Sequence, residues 1–315
     1  MRNLRGSFVQ NTVGKAIAFE GVGLHSGRPV RLVVVPAPSD HGIWFRRTDI
    51  ADPAAAFVAA SWTNAVPSPL CTRLRNEAGT EIVTVEHLLA ALAGCGVRNA
   101  VVEIEGPEVP ILDGSSRPFV EAIMEAGIEI QAAPDRAIEI LKPVEVRRGA
   151  SVARLEPAET LQMDFAIEFE DAAIGAQSKT LDLANGAFVR ELCDSRTFCR
   201  RADVDAMRAQ GLALGGSLDN AVVVEGADVL SPGGLRHADE AVRHKMLDAL
   251  GDLSLAGAPI IGRYTGRRSG HALTGALLEA LFADPSAWRM VTCDAGRSGT
   301  LPGAGVKRQD LRAAL

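Results

Sequence analysis

The sequence predicts an α+β fold in which one unit of strands and helices is used twice, in two domains. A length of 315 residues suggests about two domains, and strand-like and helix-like segments follow each other in a similar order in both halves. The composition changes at Pro134 and Asp135, which are typical of a linker. We therefore place an N-terminal domain at residues 1–133, a C-terminal domain at 134–300 and a glycine-rich tail at 301–315.

The first half reads as strands, a helix, a strand and a second helix. Strands are expected around a glycine-rich turn within residues 14–38 and again at 42–49. Residues 83–97 change to a helical spacing of apolar residues, and residues 99–106 return to strand-like alternation. A second helix is expected at 115–127, with serines at its start and a glycine at its end.

The second half repeats this order of elements. The expected strands are 137–148, 151–158, 161–170 and 259–266. Residues 213–224 are expected to be irregular. The expected helices are 186–194, 238–257 and 269–284.

Charge and apolar patterning exclude some classes of protein. A net charge of −6 argues against a protein that mainly binds nucleic acid. No apolar run approaches the roughly 20 residues of a transmembrane helix, and the N-terminal residues have no signal-peptide pattern. We expect a soluble, cytoplasmic protein whose five cysteines, an odd number, are free thiols.

A polar stripe on the helix at 238–257 is the first candidate for chemistry. Residues four apart share a helix face, so His244, Asp248 and Asp252 lie in one line. Imidazole and carboxylate together suit zinc, which in catalytic sites keeps a position open for water. A surface ion pair between His244 and Asp248 is the more common meaning of such a motif, and the motif alone leaves both interpretations open.

Two further histidines are candidates. Glu86 and His87 are adjacent at a helix start, so His87 can bind a metal while Glu86 contacts the activated water; the segment is not an HExxH motif, and a solvated acid at a helix start is the alternative. His271 follows Gly270 at the mouth of a helix and would need a carboxylate such as Asp252 to stay protonated. A helix-terminal histidine without a role is the alternative there.

Six long blocks, in this order, resemble the family of UDP-3-O-acyl-N-acetylglucosamine deacetylases, the zinc enzymes of the committed step in lipid A biosynthesis. The resemblance runs from about residue 8 to 290. The blocks are TVEHLLAALAGCGVRNA, PILDGSSRPFVEA, SRTF, LALGGSLDNAVVV, LRHADEAVRHKMLDALGDLSLAG and SGHALTGALLEAL.

The resemblance implies two domains of similar topology, each a β-sheet layered with helices, with the helices packed between the two sheets. It implies one zinc ion per chain, held by His87, His244 and Asp248, and Fe²⁺ can compete at such a site. It assigns catalytic roles to four residues. These are Glu86 as general base, His271 as the protonated histidine, Asp252 as its supporting acid, and Thr197 as a hydroxyl near the carbonyl or oxyanion.

Substrate contacts also follow from the resemblance. The implied partner is a UDP-linked acylated glucosamine, with Lys245 at its phosphate side and Phe169 against the uracil ring. Phe198, Gly216 and Ser217 belong to the insertion, about residues 198–224, that forms the acyl channel. This insertion departs from the family pattern at four positions, which are Cys199, Arg200, Arg201 and Leu218. The acyl-chain length is therefore open, and the alternatives to this function are another metal-dependent amidase or a non-catalytic scaffold of the same fold.

Overall fold

The computed structural model describes residues 9–68 and 70–312. Residues 1–8, which belong to the segment where no signal peptide is expected, lie outside the described residues, as do residues 313–315 at the end of the expected tail. Among the described helices, none combines the length and the hydropathy needed to cross a lipid bilayer.

The first half contains the four strands and two helices that its sequence pattern predicts, together with further short elements that the pattern does not predict. Its strands are β1 (Val9–Val13), β2 (Ile17–Val22), β3 (Pro29–Pro36), β4 (Ile43–Arg47), β5 (Phe57–Ala59), β6 (Ala65–Val66), β7 (Arg73–Arg75), β8 (Glu81–Val83), β9 (Ala100–Ile104) and β10 (Ile128–Pro134). Its helices are α1 (Pro53–Ala56), a 3₁₀ turn at Trp62–Asn64, α2 (Glu86–Gly94) and α3 (Arg117–Ala126).

The second half has more elements than its pattern predicts. Its strands are β11 (Arg136–Ile140), β12 (Val144–Arg148), β13 (Ser151–Glu156), β14 (Leu161–Glu168), β15 (Ala176–Asp182), β16 (Phe198–Arg200), β17 (Val222–Glu225), β18 (Asp228–Val229), β19 (Ile260–Arg267) and β20 (Trp288–Thr292). Its helices are α4 (Ala187–Glu191), α5 (Arg201–Ala209), α6 (Glu240–Leu253), α7 (His271–Ala283) and α8 (Ala295–Ser298), with 3₁₀ turns at Ser254–Ala256 and Arg308–Arg312.

The two main sheets share one pattern of strand pairing. In the first half the order is β2-β3-β9-β4-β5, and in this order only the β9–β4 pair is parallel. In the second half β12-β13-β19-β14-β15 repeats this order, with β19–β14 as the parallel pair. β11 pairs in parallel with the first two residues of β19, Ile260 and Ile261, and β20 pairs with β11. The predicted repetition of one α+β unit is therefore confirmed at the level of topology.

The helices of the two units pack against each other between the sheets. Helix α2 precedes β9 in the first unit as α6 precedes β19 in the second, and α2 and α6 are in direct contact. Helix α3 packs on β2, while α6 packs on β14 and α7 on β12 and β13. One hydrophobic core runs through both units, and it includes Leu88 and Leu92 of α2 together with Met246 and Leu250 of α6. This layering agrees with the predicted fold class.

Gly251 allows α2 and α6 to approach closely. A Cβ atom at Gly251 would lie 2.1 Å from the backbone carbonyl oxygen of Glu86, where no side chain can be accommodated without moving a helix. A glycine inside a helix costs about 1 kcal/mol relative to alanine, so its use here indicates a packing reason. Gly251 thus sets the distance between the two helices that carry most of the candidate site.

Gly251→Ala is expected to lower the free energy of unfolding by about 1–3 kcal/mol, as overpacked core substitutions do, and to lower activity by displacing Glu86. Gly275→Ala on α7 is the matched control, because no atom of the described residues lies within 4 Å of a Cβ atom there. Chemical denaturation and activity assays of both variants check this. Equal stability of the two variants would contradict the account of the helix contact.

Two details of the sequence prediction change. The linker expected at Pro134 and Asp135 is not a free segment, because β10 ends at Pro134 and pairs with β1, and the buried Asp135 accepts hydrogen bonds from Arg98. The stretch expected to be irregular ends in strand β17, so that expectation is wrong from Val222 onward. In the tail, Leu301 is buried within the described part of the chain. The boundaries at 133/134 and 300/301 stay predictions.

Candidate active site

Two helices bring His87, His244 and Asp248 together, although 157 residues separate the two histidines in sequence. His87 lies in the first turn of α2, and His244 and Asp248 lie one turn apart on α6. The Nε2 atoms of His87 and His244 lie 3.5 Å and 3.3 Å from Oδ1 of Asp248, and one ligand atom from each residue falls within 4.8 Å of the others. All three side chains are buried. The structure therefore brings the three predicted ligands into one group that can hold a metal ion.

The hydrogen bonds of this group leave its inward atoms free. The Nδ1 atom of His244 lies 3.0 Å from the carbonyl oxygen of Ser195, a partner that only accepts, so Nδ1 carries the proton and Nε2 presents a lone pair. Within residues 9–68 and 70–312, Oδ1 of Asp248 is buried without a hydrogen-bond partner. Burying a carboxylate oxygen without a partner is costly unless a cation binds it. Two imidazoles and one carboxylate fit a catalytic zinc site, which takes three protein ligands.

The charges of the group favour the metal-binding protonation states. Burial lowers the pKa of His244 to about 4, although Asp248 opposes this shift. Burial disfavours the ionised form of Asp248, but His244 and Lys245 beside it hold the pKa of that carboxyl well below its usual value. At neutral pH the group therefore offers a neutral imidazole at His244 and a carboxylate at Asp248, as a divalent cation requires.

Glu86 is positioned by the strained turn that precedes α2. Thr84 has φ +59°, a left-handed conformation that β-branched residues rarely adopt. The N–H of Thr84 donates to the carbonyl oxygen of Thr72 at 3.0 Å, and its hydroxyl donates to Glu108 at 3.3 Å. These two hydrogen bonds hold the turn in place. Glu86 follows at the start of α2, and its Oε2 atom accepts a hydrogen bond from the backbone N–H of Thr72 at 3.0 Å. Burial raises the pKa of Glu86, as expected for a carboxylate that takes up a proton during a reaction.

His271 faces Glu86 and is supported from behind by Asp252. The Nδ1 atom of His271 lies 3.0 Å from Oδ2 of Asp252, and its Nε2 atom lies 3.7 Å from Oε1 of Glu86. Burial would lower the pKa of His271, but the carboxylates of Asp252 and Glu86 raise it to about 9. The predicted pairing of His271 with Asp252 is present, and the two carboxylates favour the charged form of His271.

The substrate residues that the resemblance implies line a cavity of about 790 Å³ that also contains the metal-binding group. Phe169 and Phe198 meet edge to face, with ring centroids 5.3 Å apart, and Phe198 lies 6.3 Å from the ring of His244. The Nζ atom of Lys245 donates to Oδ2 of Asp248 at 2.9 Å. Of the predicted site residues, all but Asp252 reach this cavity. Those on its wall are Glu86, His87, Phe169, Thr197, Phe198, Gly216, Ser217, His244, Lys245, Asp248 and His271.

The insertion predicted at residues 198–224 forms a small unit of its own. Strands β16 and β17 pair in parallel, and α5 packs against both. Arg200 donates to Asp203 at 2.8 Å and 3.0 Å. The cavity is lined by all four departures, Cys199, Arg200, Arg201 and Leu218. The departures from the family pattern thus fall on the wall of the cavity.

Sequence reasoning missed Thr72 and gave Cys71 no role. Thr72 is buried and contacts Glu86, Asp252 and His271, although it precedes a three-residue strand that offers no periodic signal. Cys71 lies beside it on the cavity wall, where burial raises the pKa of its thiol to about 11. A thiol with that pKa is neutral at physiological pH and a poor nucleophile.

The paired α+β units and the buried His–His–Asp group, with Glu86 and His271 facing it, place the chain in the class of metal-dependent hydrolases. The family model described as UDP-3-O-acyl N-acetylglycosamine deacetylase matches residues 10–283. The chain belongs to this family, which confirms the resemblance seen in the sequence.

Curated relatives agree with this assignment and carry the name UDP-3-O-acyl-N-acetylglucosamine deacetylase. A relative from Phenylobacterium zucineum is 49% identical, over 90% of this chain and 96% of its own length. One from Idiomarina loihiensis is 47% identical over 90% and 93%, and one from Anaeromyxobacter dehalogenans is 45% identical over 90% and 91%.

Proposed function

We propose that this chain hydrolyses the acetamide of UDP-3-O-acyl-N-acetylglucosamine, releasing acetate and UDP-3-O-acyl-glucosamine, the committed step of lipid A biosynthesis. We further propose that His87, His244 and Asp248 hold one Zn²⁺ ion per chain. The observation that carries this proposal is the Oδ1 atom of Asp248, which has no hydrogen-bond partner in the described part of the chain and faces two imidazole Nε2 atoms at 3.3 Å and 3.5 Å. Fe²⁺ can occupy the same ligands.

Zinc at this position supplies Lewis-acid chemistry, because it polarises an amide carbonyl and lowers the pKa of water. Glu86 accepts a proton from a water molecule, while the oxygen of that water molecule bonds to the acetamide carbon. His271 donates a proton to the sugar nitrogen as the carbon–nitrogen bond breaks, so acetate and an amine result. Asp252 holds His271 in its charged form, and the hydroxyl of Thr197 donates to the carbonyl oxygen, a contribution worth roughly 3–4 kcal/mol per donor in comparable sites.

The shape and charge of the cavity support a nucleotide-linked, acylated substrate. Phe169 offers an aromatic face to the uracil ring, and Lys245 offers its ammonium group to the diphosphate once the substrate is bound. Phe198, Gly216 and Ser217 lie where the insertion of β16, α5 and β17 meets the cavity, and this part takes the acyl chain. Two domains at 1–133 and 134–300, with a tail at 301–315, would place this cavity at their junction.

A cytoplasmic location is part of the proposal. All five cysteines lie among the described residues and are free thiols. Free thiols are typical of a reducing compartment.

Acetate release from three substrates tests the proposed activity. We expect turnover of the UDP-linked acylated sugar, and a fall of at least about tenfold in kcat/KM when either the UDP group or the acyl chain is removed, since each removal loses binding contacts. Equal turnover of a simple N-acetylated sugar would instead indicate another metal-dependent amidase. No acetate release from the metal-replete protein would indicate a non-catalytic member of the family.

The protonation states of Glu86 and His271 predict a bell-shaped pH profile for kcat/KM. The base must be deprotonated, so activity rises with pH through the raised pKa of Glu86. The acid must be protonated, so activity falls as pH rises through the pKa of His271. The carboxylates raise this pKa to about 9, and a bound metal cation would lower it from there, because a nearby positive charge favours the neutral imidazole. We expect the alkaline limb to disappear in His271→Ala, whose residual activity is measured from pH 5 to 10. An unchanged alkaline limb in that variant would assign it to another group.

A further inference from the structure

Thr72 links the two sides of the candidate site. It lies just before β7 and is 6% exposed. Its backbone N–H donates to Oε2 of Glu86 at 3.0 Å, and its hydroxyl contacts both Oδ1 of Asp252 and Nδ1 of His271. Thr72 is thus in contact with the proposed base, the proposed acid and the carboxylate behind that acid.

The directions of these hydrogen bonds are fixed by chemistry. A carboxylate only accepts hydrogen bonds, so the single hydroxyl proton of Thr72 goes to Asp252. The hydroxyl oxygen can then only accept from the Nδ1 atom of His271, 3.0 Å away. Nδ1 therefore carries a proton, which it shares between Thr72 and Asp252.

The geometry leaves the opposite nitrogen of His271 for the reaction. With Nδ1 held as a donor, Nε2 is the nitrogen that faces Oε1 of Glu86 at 3.7 Å and Oδ2 of Asp248 at 3.8 Å. A ring rotated by half a turn about its Cβ–Cγ bond would place the carbon Cδ2 near the two oxygens behind it, which would lose both hydrogen bonds, and would move Nε2 to the present position of Cε1. Two acceptors at Nδ1 hold the ring more firmly than one.

We propose that Thr72 is a positioning residue for the deacetylation: its hydroxyl fixes the ring orientation of His271, and its backbone N–H fixes the carboxylate of Glu86. This inference rests on the roles proposed above for Glu86 and His271. The two functions of Thr72 can be separated by substitution. Only the orientation of His271 depends on the side chain, whereas the hydrogen bond to Glu86 comes from the backbone.

Thr72→Val and Thr72→Ser form a matched pair of variants. Valine keeps the branched shape and the backbone N–H but removes the hydroxyl, whereas serine keeps the hydroxyl. We expect kcat of Thr72→Val to fall about 10- to 100-fold, the usual effect of losing a hydrogen bond to a charged group. KM and metal content should stay within about twofold, and Thr72→Ser should recover kcat to within about threefold of the unsubstituted enzyme.

A double-variant cycle with His271→Ala separates positioning from a general loss of structure. If Thr72 acts through His271, Thr72→Val should have almost no further effect on kcat in the His271→Ala background. Full activity of Thr72→Val, or the same loss in both backgrounds, would overturn the inference. Full activity of His271→Ala alone would instead overturn the proposed role of His271, so the two failures are distinguishable.

Discussion

Replacing Glu86 with glutamine is expected to lower kcat by about 10²- to 10⁴-fold, the usual contribution of a general base. Glutamine keeps the size of the side chain and an oxygen that can accept from the backbone N–H of Thr72, but it cannot take a proton from water. Glu86 is not part of the His–His–Asp group, so the metal content should remain one ion per chain. Steady-state acetate release and metal analysis of the same preparation check both expectations.

Glu121→Gln is the control for this variant. Glu121 is half-exposed on α3 and pairs with Arg117 on the surface, so the same chemical change there should leave kcat unchanged. Near-normal deacetylation by Glu86→Gln would show that another group takes the proton.

Replacing His244 with alanine is expected to weaken metal binding by about 100- to 1000-fold. Structural zinc sites with four ligands bind with about 10–16 kcal/mol, which is about 2.5–4 kcal/mol for each ligand. Asp248 would then lose the imidazole 3.3 Å from its Oδ1 atom and keep Lys245 as its cationic partner. Zinc titration with a competing chelator measures the change in affinity.

His41→Ala is the matched control for the metal-binding variant. His41 is half-buried near β4 and has a backbone oxygen as its hydrogen-bond partner, so its loss should not alter zinc affinity. If His244→Ala still holds one zinc ion as tightly as the unsubstituted chain, the proposed ligand set is wrong.

Local spacing predicted the part of the site that lies on one helix. His244, Asp248 and Asp252 share a face because they are four residues apart, and in the structure all three side chains are buried on α6. The partnership of His244 with His87 carries no local signal, because it depends on the packing of α6 against α2. Before the structure, only the resemblance to a family assigned His87 and His244 to the same metal site.

Close packing and weak patterns account for what the sequence did not predict. The contact between α2 and α6 depends on Gly251, whose position inside a helix is a cue that can be recognised once the helix is assigned. Helix α5 was missed because Val204 is its only fully buried residue, so its apolar stripe is too short to show a period. Thr72 belongs to a turn between short strands, where side-chain partners are set by tertiary contacts alone.

The dependence of acetate release on zinc tests the central claim most directly. The protein is stripped with a chelator, zinc is added back in steps, and acetate release from the UDP-linked acylated sugar is measured at each step. We expect no release from the stripped protein and full recovery at one zinc ion per chain, with recovery absent in His244→Ala at the same zinc concentrations. Undiminished release from fully stripped protein would contradict the central claim.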